Sequence, residues 1–205
     1  MTYAETRVLQ VVRLKGRPNV ADLPGAAGLP EDESQQVLSS LLDAGCVEQK
    51  GERVKLTESG RERLKGFVGA ERSDIDQNAL SQSYQRFEPF NAEFKQVVTD
   101  WQLIDGEKPN DHSDPAYDKR VVQRLADLHE RFLPLLRDMV DIAPRLGHYP
   151  DRFSKAIGQI LDGDHSWLAR PLADSYHTIW FELHEDLIEL AGLSRAAEAA
   201  AGRAE

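Results

Sequence analysis

A single cysteine, Cys46, stands among the 205 residues, so no disulfide can close within the chain. At the head of a β-compatible run it reads as a small buried thiol rather than a redox switch. No apolar run approaches the roughly 20 residues of a membrane span. The amino terminus, Met-Thr-Tyr-Ala-Glu-Thr-Arg, lacks the basic patch and apolar stretch of a signal peptide. A cytoplasmic protein with no membrane partner is the expectation. Also missing are a glycine-rich phosphate loop, a Gly-x-Ser-x-Gly elbow, a Cys/His nucleophile pair and zinc-type histidine spacing. Ser175 and His177 lie two apart on a predicted helix, where their side chains diverge. The sequence therefore assigns no catalytic residue, no enzyme activity and no cofactor.

Positive charge is in deficit, with 25 Lys+Arg against 35 Asp+Glu, a formal −10. Residues 1–70 hold 10 of each sign, so the whole deficit falls on 71–205. At this length the chain forms one large domain or two small ones, each able to bury a core. The charge step and the patterns below favour two.

The first set of apolar residues is Val8, Leu9, Val11, Val12 and Leu14, at helical spacing and ended by Gly16 and Pro18. A compact segment from Asn19 to Gly28 follows. Leu29-Pro30 opens a third helix with Glu31, Asp32 and Glu33 in its first turn, where the helix dipole favours carboxylates. That helix is expected to bury Val37, Leu38, Leu41 and Leu42, with Gly45 at its end. Two short strands come next, Cys46-Val-Glu-Gln49 and Arg53-Val-Lys-Leu56, joined through Gly51 in a hairpin turn. Thr57 then caps a helix that begins at Glu58.

The strings Leu41-Leu-Asp-Ala-Gly-Cys-Val47 and Leu56-Thr-Glu-Ser-Gly-Arg61, set around a hairpin, resemble the winged helix-turn-helix domain of MarR-like transcription regulators. The resemblance covers about a third of the chain. It implies a fold with a two-stranded wing, double-stranded DNA (an operator) as partner, and a homodimer. Winged helices also serve as protein-interaction modules.

Base reading would fall to the exposed polar face of the third helix, Gln35, Gln36, Ser39 and Ser40, because Gln and Ser hydrogen-bond to base edges. Arg13, Lys15, Arg17, Lys50, Arg53, Lys55 and Arg61 are the candidates for backbone phosphate, which positions a domain without reading sequence. Against this, residues 30–44 carry no Lys or Arg and four acids, Glu31, Asp32, Glu33 and Asp43. Phosphate neutralisation supplies most non-specific DNA affinity. The same helix therefore also suits a protein partner.

The polar stretch 70–78 is a linker or the exposed start of a long helix. Beyond it Leu80, Tyr84, Phe87, Asn91, Phe94, Val98 and Trp101 form one stripe at helical spacing, with a kink or a nearby break expected at Pro89. Residues 105–117 read as a polar loop. A second long helix from about Asp118 carries Val121, Leu125, Leu128, Phe132, Leu136 and Met139, interrupted by Pro134 and ended by Pro144. A shorter helix runs from Phe153 to Leu161. A last long helix extends from Trp167 through Leu172, Tyr176, Trp180 and Leu187 to Leu190. No β-pattern appears after residue 57. The expected architecture is mainly α: a winged helix over 1–70, an antiparallel helical bundle over 71–196 for dimerisation or ligand sensing, and a disordered tail over 197–205.

Tyr84, Phe87, Asn91, Tyr176, His177, Trp180 and His184 combine aromatic walls with a few polar groups. That is the composition of a small-molecule effector pocket and equally of a plain aromatic core. His177 and His184 share a helix face with Asp174 and Glu185 nearby, but the Glu-x-x-His pairs of carboxylate-bridged bundles are missing, and no metal is assigned. The segment Asp174-Ser-Tyr-His-Thr-Ile-Trp-Phe-Glu-Leu-His-Glu-Asp186 resembles actinobacterial proteins associated with phosphoenolpyruvate-utilising dikinases. That likeness assigns no site. It implies an alternative role, an interaction module that regulates a metabolic enzyme without binding DNA.

Overall fold

The computed structural model describes residues 2–170 and 173–193, which are predominantly helical. The chain divides into two compact units, Met1–Ile75 and Asp76–Glu205. Leu172 and the tail expected over 197–205 lie outside the described residues.

In the first unit, α1 (Tyr3–Lys15) starts with a reciprocal cap. The Thr2 hydroxyl accepts from the Glu5 N–H while the Glu5 carboxylate accepts from the Thr2 N–H, satisfying two N–H groups that a helix start leaves over. Its Val8, Leu9, Val11 and Val12 are buried. After one 3₁₀ turn (Val20–Asp22), α2 (Leu23–Ala27) leads to α3 (Glu31–Asp43). The α3 core stripe is Ser34, Leu38 and Leu41, while Val37 and Leu42 are half-buried flanks. The helix is thus rotated from the expected four-residue apolar face, because steps of four and three from Ser34 follow its 3.6-residue turn.

Strands β1 (Val47–Lys50) and β2 (Arg53–Leu56) pair antiparallel from Val47↔Leu56 to Lys50↔Arg53. Cys46 falls just outside β1, since its carbonyl accepts from both the N–H and the hydroxyl of Thr57. It is buried and free, as a small apolar residue would be. The connection after α1 is laced to β2, with Val54 N–H donating to the Pro18 carbonyl and Val20 N–H to that of Glu52. Helix α4 (Glu58–Asp74), capped by Thr57, runs through most of the polar 70–78 stretch.

In the second unit, Asp76 caps α5 (Gln77–Gln102). A two-residue pair, β3 (Leu103–Ile104) with β4 (Lys108–Pro109), turns the chain into α6 (Pro115–Ile142). This small hairpin corrects the expectation of no β-structure after residue 57; two residues are too few to show an alternation. The two long helices run antiparallel. Arg86 pairs with Asp138 at 2.9 Å, Glu93 with Arg131 at 2.5 Å and Asp100 with Arg124 at 2.5 Å. Positions rise by seven on α5 as they fall by seven on α6.

Both helices continue unbroken through Pro89 and Pro134. Each proline removes one backbone bond, and the Phe90 and Phe132 rings packed at 5.7 Å tie the two helices together beside both sites. A 3₁₀ turn (Pro144–His148), α7 (Tyr149–Leu161) and α8 (Ser166–Ala169) follow, then α9 (Tyr176–Ala191). The long last helix expected from Trp167 is therefore two helices. Pro171, invisible in the apolar pattern, disfavours helix at the residue before it, and Arg170 is extended with ψ 122°.

The core of this unit is aromatic, with Trp180 against Phe94 at 4.4 Å and Phe132 at 4.7 Å, and Phe153 against Tyr176 at 4.9 Å. Each fully buried ring contributes about 1.5–3 kcal/mol of transfer free energy. Among the described residues the exposed large apolar side chains are Tyr3, Leu161 and Leu193, and no helix is long and apolar enough to cross a membrane.

Candidate functional site

The first unit gathers cations around its hairpin. Arg17, Lys50, Arg53 and Lys55 line one concavity of about 420 Å³, with Glu48 as its acid. The lacing of the α1–α2 connection to β2 brings Arg17 there, and the register sets Lys50 opposite Arg53. Lys55 pairs with Glu48 across the strands. Arg17, Lys50 and Arg53 are exposed and make no side-chain hydrogen bond or ion pair among the described residues. Arg61 is exposed nearby in sequence at the start of α4. Arg13 and Lys15 are half-buried, and the Arg13 Nε donates to the Gln10 side chain. On α3, Gln35, Gln36, Ser39 and Ser40 are all exposed, and Gln35 donates to Glu31 at 3.0 Å. The acids Glu31, Asp32 and Glu33 are exposed as well.

In the second unit the residues considered for a pocket mostly form core. Tyr84, Phe87, Asn91, Tyr176, Trp180 and His184 are buried, and only His177 is half-buried. Four of them pair through their polar atoms. The Trp180 indole N–H donates to the Asn91 side-chain oxygen at 2.9 Å, and the Tyr84 hydroxyl and His184 Nε2 are 3.0 Å apart. Asn91 sits in the aromatic stripe to accept this bond. Between α5 and α9 a cavity of about 30 Å³ remains, with Asn91, His177, Trp180 and His184 on its wall. That volume holds roughly one water, so an effector entering here would have to part the two helices. Asp174 is engaged by Arg152, and no group of three or more metal-ligating side chains is assembled among the described residues.

His129 on α6 is buried with its Nδ1 3.2 Å from the Tyr176 hydroxyl. Burial holds its pKa below the ordinary 6.5, with Glu130 opposing, and burial likewise pushes the Tyr176 hydroxyl far up. A histidine with a lowered folded pKa leaves the unfolded chain binding more protons just below pH 6.5, so stability falls as the pH drops through that range. Urea titrations at pH 7.5 and 5.5 should show a loss of stability on acidification that is smaller in His129→Gln. An equal loss in both proteins would mean that His129 does not titrate on unfolding.

The apolar pattern does not disclose a buried ionic network joining the α7 region to α9. Arg145 donates to Asp186 at 3.0 Å, and the Tyr149 hydroxyl donates to the other oxygen of Asp186 at 2.6 Å. Arg152, one turn further along, donates to Asp174 and, at 2.6 Å, to Glu182. Burial works against the Arg152 charge, and Glu182 and Asp174 outweigh it, so the guanidinium stays charged. Burial, then Asp186, raise the Tyr149 hydroxyl well above 10. The one signal in the sequence is Arg145-x₆-Arg152 facing Glu182-x₃-Asp186, charges placed inside otherwise apolar stripes.

A second cluster, hidden in the polar loop, centres on His112. Its Nδ1 donates to Asp118 at 3.0 Å, and Asn110 donates to the other Asp118 oxygen at 2.9 Å. The His112 ring packs on Trp101 at 4.4 Å, and His165 meets the same indole edge-on at 5.5 Å. Comparison with protein-family models, curated proteins and solved structures finds no match to the chain.

Proposed function

We propose that the first unit is a MarR-like winged helix that binds duplex DNA, with the β1–β2 hairpin as its wing. The observation that carries this reading is the concave group of Arg17, Lys50 and Arg53, exposed and without side-chain partners among the described residues. Cations on the hairpin and on the connection laced to it suit backbone phosphates, which hold a domain in register on the duplex. Gln36, Ser39 and Ser40 on the exposed α3 face would then read base edges, with Gln35 available once it leaves Glu31. The second unit supports dimerisation or sensing, and two copies would address two half-sites. Among the described residues the exposed large apolar side chains are Tyr3, Leu161 and Leu193; the dimer is expected to form on DNA, which sedimentation with and without duplex would measure.

Fluorescence anisotropy with the duplex upstream of the chain's own gene and a scrambled duplex tests the reading. Binding should weaken steeply with salt. Lys50→Ala with Arg53→Ala should reduce the salt slope by about 2, because each cation removed leaves one phosphate with its counterion. No binding at low salt, or a slope unchanged in the double variant, would refute it. One observation favours a second reading: the exposed Glu31-Asp32-Glu33 turn suits a basic protein surface. A partner recovered without DNA, and absent when these three acids are neutralised, would identify an interaction module of the kind that regulates a metabolic enzyme.

A further inference from the structure

We propose that a groove around His112 and His165 in the second unit binds a small amphipathic molecule with an oxyanion head. The inference does not rest on the DNA reading. Two adjoining hollows of about 660 and 520 Å³ share His112, Asp118 and His165 as common wall, and sites for small molecules run to roughly 300–1,000 Å³. One side carries the polar groups of Gln102, Ser166 and Arg170 beside Trp101 and Ala169. The other is largely apolar, with Pro115, Val122, Ile160 and Leu161. Leu161, 57% exposed, is the most exposed large apolar side chain among the described residues.

Charge decides the head group. The unit is acidic, but the acids at this groove are already engaged. Asp118 accepts from His112 and Asn110, and Asp164 accepts from the N–H and hydroxyl of Ser166. In the neighbouring loop, Asp111 and Asp114 are turned onto the N–H groups of Ser113, Ala116 and Tyr117. The side chains of Arg170 and Lys119 make no hydrogen bond or ion pair among the described residues. The bonds from Ser166 and, to a lesser degree, the nearby Arg170 charge hold the Asp164 carboxyl below its ordinary range. The His165 ring meets only Trp101 there. A planar guanidinium beside an imidazole matches a carboxylate or phosphate oxygen pair, and the Val122–Ile160–Leu161 wall takes the apolar remainder.

The loop is built to hold this wall. His112 has φ +58°, a left-handed conformation that costs free energy outside glycine. Its surroundings keep it there. The His112 N–H donates to the Asn110 side chain at 3.0 Å, its Nδ1 donates to Asp118, and its ring lies on Trp101. The bond from Nδ1 to Asp118 fixes the orientation of the ring.

The test is calorimetry and histidine-ring NMR on the full chain with sodium octanoate, octyl phosphate, octanol and sodium acetate. Octanoate or octyl phosphate, whichever head is preferred, should bind and move the His112 and His165 ring resonances. Octanol and acetate should bind at least ten-fold more weakly. Arg170→Gln and Leu161→Asp should each weaken binding at least ten-fold without changing the melting temperature, since both side chains are exposed. Equal binding of octanol, unmoved ring resonances, or full affinity in Arg170→Gln would overturn the proposal.

Discussion

Replacing Asp186 by Ala destabilises the second unit by about 3–5 kcal/mol, the range for breaking one side of a buried ion pair. The Asp186 carboxylate receives both the Arg145 guanidinium and the Tyr149 hydroxyl, and Arg145 and Asp186 side chains are each 1% exposed. Removing the carboxylate leaves a charge buried beside a phenol that has lost its acceptor. Asp186→Asn keeps the volume and one acceptor oxygen, so it should fall between wild type and Ala. Replacing Arg145 and Asp186 together by Leu should cost much less than the two single changes combined, because the desolvated charge disappears with its partner. Urea unfolding followed by tryptophan fluorescence reads this cleanly, since Trp101, Trp167 and Trp180 all belong to the second unit. A loss below about 1 kcal/mol for Asp186→Ala would show that water reaches Arg145 in the variant.

The largest effect in the first unit is expected at Gly60. A Cβ there would stand 1.9 Å from the Cys46 carbonyl oxygen and 3.1 Å from Leu56 Cδ2. That oxygen is fixed by the Thr57 N–H and hydroxyl, and Gly60 N–H itself donates to Thr57 Oγ1. Backbone faces backbone, and no rotamer can relieve the overlap, so Gly60→Ala must push α4 away from the α3–β1 corner. The expected cost is about 3 kcal/mol, the upper end for overpacking. Domains of this size often hold only about 3–5 kcal/mol, so the unit should be largely unfolded on warming. Gly66 and Gly69 are the controls. They lie on the same helix with open space at the Cβ position, and Ala at either should stabilise by about 0.5–1 kcal/mol. Circular-dichroism melts of the three variants separate the cases. Gly60→Ala melting with wild type would mean that the corner is looser than these distances imply.

These two sites differ in how visible they are in the sequence. Gly60 lies inside Leu56-Thr-Glu-Ser-Gly-Arg61, a string that stands out because a helix cap, a close approach and a turn out of a strand each demand particular residues. Local chemistry of that kind is legible, as are the stripes of α5 and α6, whose period survives two prolines. The ionic network is not. A charged residue at a core position looks like noise in an apolar pattern until its partner, tens of residues away, is known. The 105–117 loop is opaque for a related reason. Its turn-forming residues announce a loop, but nothing local reveals that His112 bonds Asp118 and packs on Trp101 from the preceding helix. The break before α9 needs only Pro171, which the strong aromatic spacing on both sides conceals. The aromatic stripe itself is legible as a helix face, while its polar members become interpretable only through the bond between Asn91 and Trp180.

The ion pairs between α5 and α6 act as a key for alignment. Along α5 the paired positions read Arg86, Glu93, Asp100; opposite them α6 presents Asp138, Arg131, Arg124. Sliding one helix by seven residues in one direction would set Arg86 against Arg131. Sliding it in the other would set Glu93 against Asp138. The apolar stripes alone would tolerate either shift, because they repeat at the same interval. One like-charge confrontation in each alternative discriminates against both. Three exposed pairs that add little individual stability thereby fix which aromatic rings face each other, and with them the seat that Asn91 offers Trp180.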